Sequence, residues 1–298
     1  MLLITFSTTA GPRRLGVQQG ESVIDVAALA AHAGVEIPGD LRALVELGAS
    51  GVQALGDLVD IPAAQQFSTP LADVTVHAPF RPGKIIGVGL NYTEHVAESA
   101  RTLDTDKELP QRPVLFSKPG TAVVGPGEPI QHNADITNQL DWECEVAVII
   151  GRTAKKVTAE DAHDYVFGYS IINDISARDQ RRSGQWFFSK GQDSYAPFGP
   201  AVRTADEQID PHDLDISLRV NGEVKQKSNS QYMLFTIPEL IADITSGVTL
   251  EPGDVIATGS PAGVGASFTP QQFLTPGDVV ECTIESIGTL SNPVIDAR

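Results

Sequence analysis

A chain of 298 residues, 41% hydrophobic and 20% charged, can bury a sizeable core as one large domain or as a large and a small one. Its net charge of −17 argues against nucleic acid or an anionic membrane surface as partner, and leaves an anionic substrate in need of a local positive site. No apolar run approaches the ~18 residues of a membrane span, and the amino terminus lacks the charged start and long apolar region of a secretory signal. A cytoplasmic protein is the expectation.

Residues 1–72 read as a small α/β accessory domain. Strands are expected over Leu2–Ser7 and Arg14–Gln18, an alanine-rich helix over Val26–Ala33 with His32 on its surface, and two short helices over Leu41–Leu47 and Val52–Leu58. Pro62, Pro70, Pro79 and Pro82 punctuate a linker and entry segment over 60–83. The larger domain is placed at 73–298, with a first strand over Lys84–Leu90. Gly87 and Gly89 form a GxG without the third glycine of a dinucleotide loop, so close backbone approach is the better account of them. Asn91–Glu98 reads as a helix start that places His95 and Glu98 on one face. Pro113–Pro119 reads as a strand stopped by proline.

The run Asp141–Gly151 then reads as a strand rich in aromatic and β-branched residues. Period two puts Trp142, Cys144, Val146, Val148 and Ile150 on one face, and Asp141, Glu143, Glu145, Ala147 and Ile149 on the other. The second face begins acidic and turns apolar, which suits a strand buried on both sides. Buried carboxylates are costly unless paired or bound to a cation, and a hard divalent cation is the natural partner. A partly exposed edge strand with two solvated glutamates is the plainer alternative.

Thr158 is a good N-cap for a short helix, and Val166–Asn173 is a strand ending at Asp174. Residues 176–199 read as a long irregular loop carrying Arg178, Arg181, Arg182 and Lys190, the largest basic concentration in the chain. Beyond 200 the pattern is β-rich: a hairpin turning at Asn221-Gly222, a helix opened by Thr236 and Glu239 as a capping box, and two Pro-Gly-Asp turns leading into Val255–Thr258 and Val279–Ile284. The loop Gly259–Gly265 could hold a carboxylate or phosphate on its amides. His132, His163 and His212 look solvated, and Cys144 and Cys282, without zinc-like spacing, look like buried free thiols.

Glu143, Glu145 and Asp174 suit Mg²⁺ or Mn²⁺ better than zinc. His95 with Glu98 could be a general base and its orienter, or a plain surface pair. One ordered series then stands out: Asn91-Tyr92 with His95 and Glu98, Pro113–Phe116 with Lys118-Pro119, Trp142–Glu145, Asn173–Asp179, Gly184–Trp186 with Lys190, and Thr258–Pro261 with Gly263–Gly265. Over about residues 84–292 it resembles the fumarylacetoacetate hydrolase family.

That resemblance implies an α+β, β-rich fold: a mixed β-roll catalytic domain, usually in a homodimer, with one Mg²⁺ or Mn²⁺. It implies Glu143, Glu145 and Asp174 as metal ligands, and His95 with Glu98 as the dyad activating water. Lys190 would stabilise developing negative charge. Arg178 would help hold the substrate acid, Gln180 and Arg181 would also bind substrate, and Thr258 and Gly259 would line the same pocket. Relatives commonly have glutamine where Arg181 stands, and Lys-Ser where this chain has Ser189-Lys190-Gly191, which leaves the substrate open. The expected activity is C–C hydrolysis of an acylpyruvate or related 2,4-dioxo acid, with pyruvate leaving as an enolate. Rivals are oxaloacetate decarboxylation, hydration or isomerisation of an unsaturated or enolised 2-oxo acid, and a catalytically silent metabolite-binding protein.

Overall fold

The computed structural model describes residues 1–9, 11–94, 109–181, 184, 186–206 and 208–297. The amino-terminal part contributes β1 (Leu2–Ser7), β2 (Arg14–Gln19), β3 (Ser22–Asp25), α1 (Val26–Ala33), α2 (Leu41–Val59), β4 (Ser68–Pro70) and β5 (Thr75–His77). Next come β6 (Ile85–Gly89), β7 (Val114–Lys118), β8 (Val123–Val124), β9 (Ile130–His132), β10 (Leu140–Asp141), β11 (Cys144–Ile150) and β12 (Val166–Asn173). The chain continues through β13 (Ser176–Ala177), α3 (Trp186–Lys190), β14 (Ala196–Thr204), β15 (Asp215–Val220) and β16 (Glu223–Asn229). It ends with α4 (Ile237–Gly247), β17 (Val255–Ala257), β18 (Val279–Ile284) and β19 (Gly288–Asp296).

Among the described residues a 12-stranded sheet runs β4-β3-β2-β1-β14-β12-β11-β17-β6-β7, with β5 beside β1 and β8 beside β14. A second sheet runs β16-β15-β18-β19-β9, and β10 pairs with β13 alone. The architecture is α+β and β-rich, as expected. The amino-terminal strands continue the large sheet, because β1 pairs antiparallel with β14 through Leu2↔Arg203 and Leu3↔Val202. No described helix is long and apolar enough to cross a membrane.

β11 is buried along its whole length because both faces are covered. Cys144, Val146, Val148 and Ile150 pack with Leu218 and Ile284 of the second sheet and Ile241 and Ile244 of α4. Ala147 and Ile149 pack with Leu29 of α1 and with Leu44 and Leu55 of α2. Each such aliphatic side chain contributes roughly 1.5–3 kcal/mol by leaving water, so the acidic end of this strand is anchored at the centre of the molecule.

Several local expectations match in detail. Gly48, at φ 59° and ψ −141°, breaks α2 into the two short helices read from the sequence. Asn221 and Gly222 both have positive φ, as the tight hairpin turn demands. Cys144 and Cys282 are buried free thiols.

Others need correction. The acidic run is not one strand: β10 stops at Asp141 and β11 begins at Cys144, because the first part pairs with β13 and the second with β12 and β17. Thr158 opens a turn, its hydroxyl accepting from the Asp161 amide, and only a short 3-10 helix over Ala162–Tyr165 precedes β12. Most of the described residues in 176–199 are in regular elements and largely buried rather than in a loop, since many of their polar side chains are matched inside the protein; Ser189 Oγ donates to the Ala177 carbonyl. His132 is buried in β9, and His212 is half-buried with Nε2 accepting from the Ile237 amide.

Candidate metal centre

Two strand ends meet at the site. Glu143 lies just before β11, Glu145 within it and Asp174 just after β12, across the Cys144↔Asn173 pair. The Asp174 amide donates to the Glu143 carbonyl, and the Asn173 side chain accepts from the Glu143 amide at 3.0 Å. One carboxylate oxygen from each of Glu143, Glu145 and Asp174 can be chosen so that all lie within 4.8 Å of one another. Glu143 is 5% exposed, Glu145 1% and Asp174 0%, which removes the reading of a solvated edge strand.

The third carboxylate of that strand face, Asp141, is turned away from the triad. It accepts from the amides of Trp142, Gly265 and Ala266. The glycine-rich loop therefore does cradle carboxylates, but the chain's own ones: Gly259 N donates to Glu145 Oε2 at 2.8 Å. Gly259 has φ 101°, and a Cβ there would fall 2.6 Å from Asn91 Cβ, so the residue must be glycine. Asn91 clamps this corner by donating to the Thr258 and Phe235 carbonyls.

Three buried cations answer the acids. Lys190 Nζ donates to Glu143 Oε2 and Ser176 Oγ, each at 2.8 Å, and to Asp174 Oδ2. Lys118 Nζ lies 2.6 Å from Asp174 Oδ1 and also donates to the main-chain carbonyls of Lys190 and Ile175. Arg178 joins Asp141 at 2.9 Å and Glu143 at 2.7 Å. Among the described residues four carboxylates thus face three cations, and Glu145 is the acid with no cation in salt-bridge contact. Burial, then the charges of Asp174 and Glu143, push its carboxyl well above the usual range. Burial lowers the Lys118 ammonium, whereas Asp174 and Glu143 overcome burial and raise Lys190. A pocket of oxygen donors with uncompensated negative charge fits Mg²⁺ or Mn²⁺. Cys144 does not join it; it lies in the same buried cluster as Cys282, on the opposite face.

The other expected residues are distributed unevenly. Gln180 is buried and donates to the Ile136 carbonyl. The Thr258 hydroxyl donates to the Val146 carbonyl at 2.9 Å. Arg181 is half-buried, its guanidinium 4.6 Å from the centre of the Trp186 ring. His95 and Glu98 lie outside the described residues. Lys118 and Asp141 were not read as site residues; the signal was a lysine inside an apolar strand and a third acid on an acidic face. Gly87 and Gly89 give the expected close approach, since added Cβ atoms would meet Phe116 at 2.1 Å and Trp186 at 2.5 Å. Those two rings pack against each other with a tilt of 44° and flank Lys190.

The profile described as fumarylacetoacetate (FAA) hydrolase C-terminal matches residues 84–295. The chain belongs to the fumarylacetoacetate hydrolase family. It is 43% identical over 231 residues to the oxaloacetate tautomerase YisK of Bacillus subtilis (strain 168), covering 76% of this chain and 75% of that one. Its structure is similar to the fumarylacetoacetate hydrolase EaFAH from psychrophilic Exiguobacterium antarcticum, with a TM-score of 0.82, 35% identity and 100% of both chains covered. It is also similar to the maleylpyruvate hydrolase from Sphingobium sp. SYK-6 in complex with manganese(II) ion and pyruvate, with a TM-score of 0.80, 31% identity and 100% of both chains covered. The family profile begins at residue 84, so the amino-terminal strands that extend the sheet lie outside it.

Proposed function

We propose that this family member is a divalent-cation-dependent enzyme of small 2-oxo acids, and that its reaction is the keto–enol tautomerisation of oxaloacetate. The observation that carries the reading is the buried triad of Glu143, Glu145 and Asp174 with Lys190 bridging two of its members. The likeness to YisK supports the substrate.

Bound by the triad, Mg²⁺ or Mn²⁺ would supply positive charge to the carboxylate and keto oxygens of a 2-oxo acid. The chain's own groups do the rest. Lys190 is fixed by three acceptors and kept charged by two carboxylates, so its ammonium is ready to stabilise negative charge as it grows on an enol oxygen. Lys118 positions it by holding both Asp174 and the Lys190 carbonyl. Arg178 fixes Glu143 and ties it to Asp141. The surrounding burial keeps these interactions strong. Loss of a proton from the methylene carbon of oxaloacetate and gain of one by the keto oxygen convert keto to enol, and the reverse transfers restore the keto form, so charge stabilisation and a proton carrier suffice.

A second reading, C–C hydrolysis of an acylpyruvate, is favoured by the likeness to the maleylpyruvate hydrolase. It adds a nucleophilic water, with His95 and Glu98 as the expected activating pair. To separate the readings, the enzyme with Mg²⁺ or Mn²⁺ is given enol-oxaloacetate and, separately, acetylpyruvate. Faster loss of enol absorbance without pyruvate release supports the tautomerase. Pyruvate from acetylpyruvate alone assigns the hydrolase, and pyruvate from oxaloacetate assigns a decarboxylase.

A further inference from the structure

Arg181 is set apart from the other cations around the triad. Lys190, Lys118 and Arg178 are each held by carboxylates. Arg181 has no carboxylate partner among the described residues, and its Nε is buried without a hydrogen bond. Its position is nonetheless built. It follows the short helix Arg178–Gln180, and its guanidinium stacks on Trp186. Trp186 in turn rests against Phe116 and occupies the space that a side chain at Gly89 would take. Lys190 Nζ lies 5.9 Å from the same Trp186 ring and 4.8 Å from Phe116. The Trp186 ring therefore neighbours both the ammonium that touches the triad and a guanidinium whose buried Nε lacks a hydrogen bond.

A guanidinium is a rigid fork matched to a carboxylate, and it stacks well on aromatic faces. Leaving one partly desolvated and unpaired is costly, and a site that gains an anion there recovers that cost. We propose that Arg181 receives the distal carboxylate of the substrate, so that the site selects dicarboxylic 2-oxo acids over those with an uncharged tail. The inference rests on the reading of the triad as the seat of the 2-oxo acid group, and it narrows the substrate class within that reading. Burial and the neighbouring Arg178 lower the Arg181 pKa, with Glu143 opposing them, and the guanidinium stays charged.

The test is equilibrium binding of pyruvate and of oxaloacetate to the Mg²⁺-loaded wild type, Arg181→Gln and Arg181→Lys, read by quenching of tryptophan fluorescence, with turnover measured in parallel. Charge-assisted hydrogen bonds of this kind correspond to about 10- to 100-fold in affinity. Wild type is expected to prefer oxaloacetate by that factor. Arg181→Gln should lose the preference with pyruvate affinity unchanged, and Arg181→Lys, which keeps charge without the fork, should retain part of it. If Arg181→Gln keeps the full preference, the assignment is overturned whatever the turnover shows. If the preference collapses while wild type turns over no oxaloacetate, the receptor stands and the assigned reaction falls.

Discussion

Lys190→Met is the most informative single change. The substitution keeps the length of the buried stem and removes the ammonium that Glu143, Asp174 and Ser176 share. Breaking a buried ion pair by deleting one member costs about 3–5 kcal/mol, because the remaining charge is left uncompensated. Lys118 still holds Asp174 and Arg178 still holds Glu143, so the low end, about 3 kcal/mol, is expected. At roughly 2–4 °C per kcal/mol for a large domain, the melting midpoint in EDTA should fall by about 6–12 °C. Mg²⁺ replaces the lost positive charge, and a ligand that binds only the native state stabilises it. Saturating Mg²⁺ should therefore raise the midpoint of the variant by more than that of the wild type, while turnover falls. Melts in EDTA and in Mg²⁺ measure both. A variant as stable as wild type in EDTA, or one gaining less from Mg²⁺, would show that the lysine is not part of a shared cation site.

Glu145→Gln can still accept from Gly259 N but removes the triad charge that has no cation partner among the described residues, so calorimetric Mg²⁺ affinity should drop by at least about 10-fold, the size seen even for residues behind the ligands. Gly89→Ala drives a Cβ to 2.5 Å from Trp186; overpacking of about 1–3 kcal/mol should lower the melting midpoint, shift tryptophan emission and reduce turnover. Away from the site, the Thr236 amide donates to Glu239 and holds its carboxyl below the usual range. A depressed folded-state pKa means stability that is complete above the unfolded value and lost as pH falls through the folded one. The stability gap between wild type and Glu239→Gln should therefore be full at neutral pH and close in acid, as denaturant titrations at several pH values will show.

How much of this was legible in the sequence follows physical lines. Strands such as Val166–Asn173 and the helix over Val26–Ala33 were readable because local composition and tertiary packing agree there. The triad was readable because Glu143 and Glu145 interrupt an apolar pattern that has no solvated face. The polar stretch after Ser176 misled, because polarity normally signals a loop, whereas here Arg178, Ser189 and Lys190 are buried among matching partners. Lys118 escaped notice for the same reason: nothing in Val114–Lys118 shows that Asp174, distant in sequence, supplies its counter-charge. The separation of Asp141 from Glu143 was invisible to a period-two reading, since a change of pairing partner ends the alternation at Trp142.

The central claim is that the triad and its lysines make a cation-dependent site for enolising a 2-oxo acid. The most direct measurement is the decay of enol-oxaloacetate absorbance with purified protein, in Mg²⁺ and in EDTA, for wild type and Glu143→Gln. The account predicts acceleration by the wild type in Mg²⁺, abolished by EDTA and by the substitution. Acceleration that survives both would contradict it.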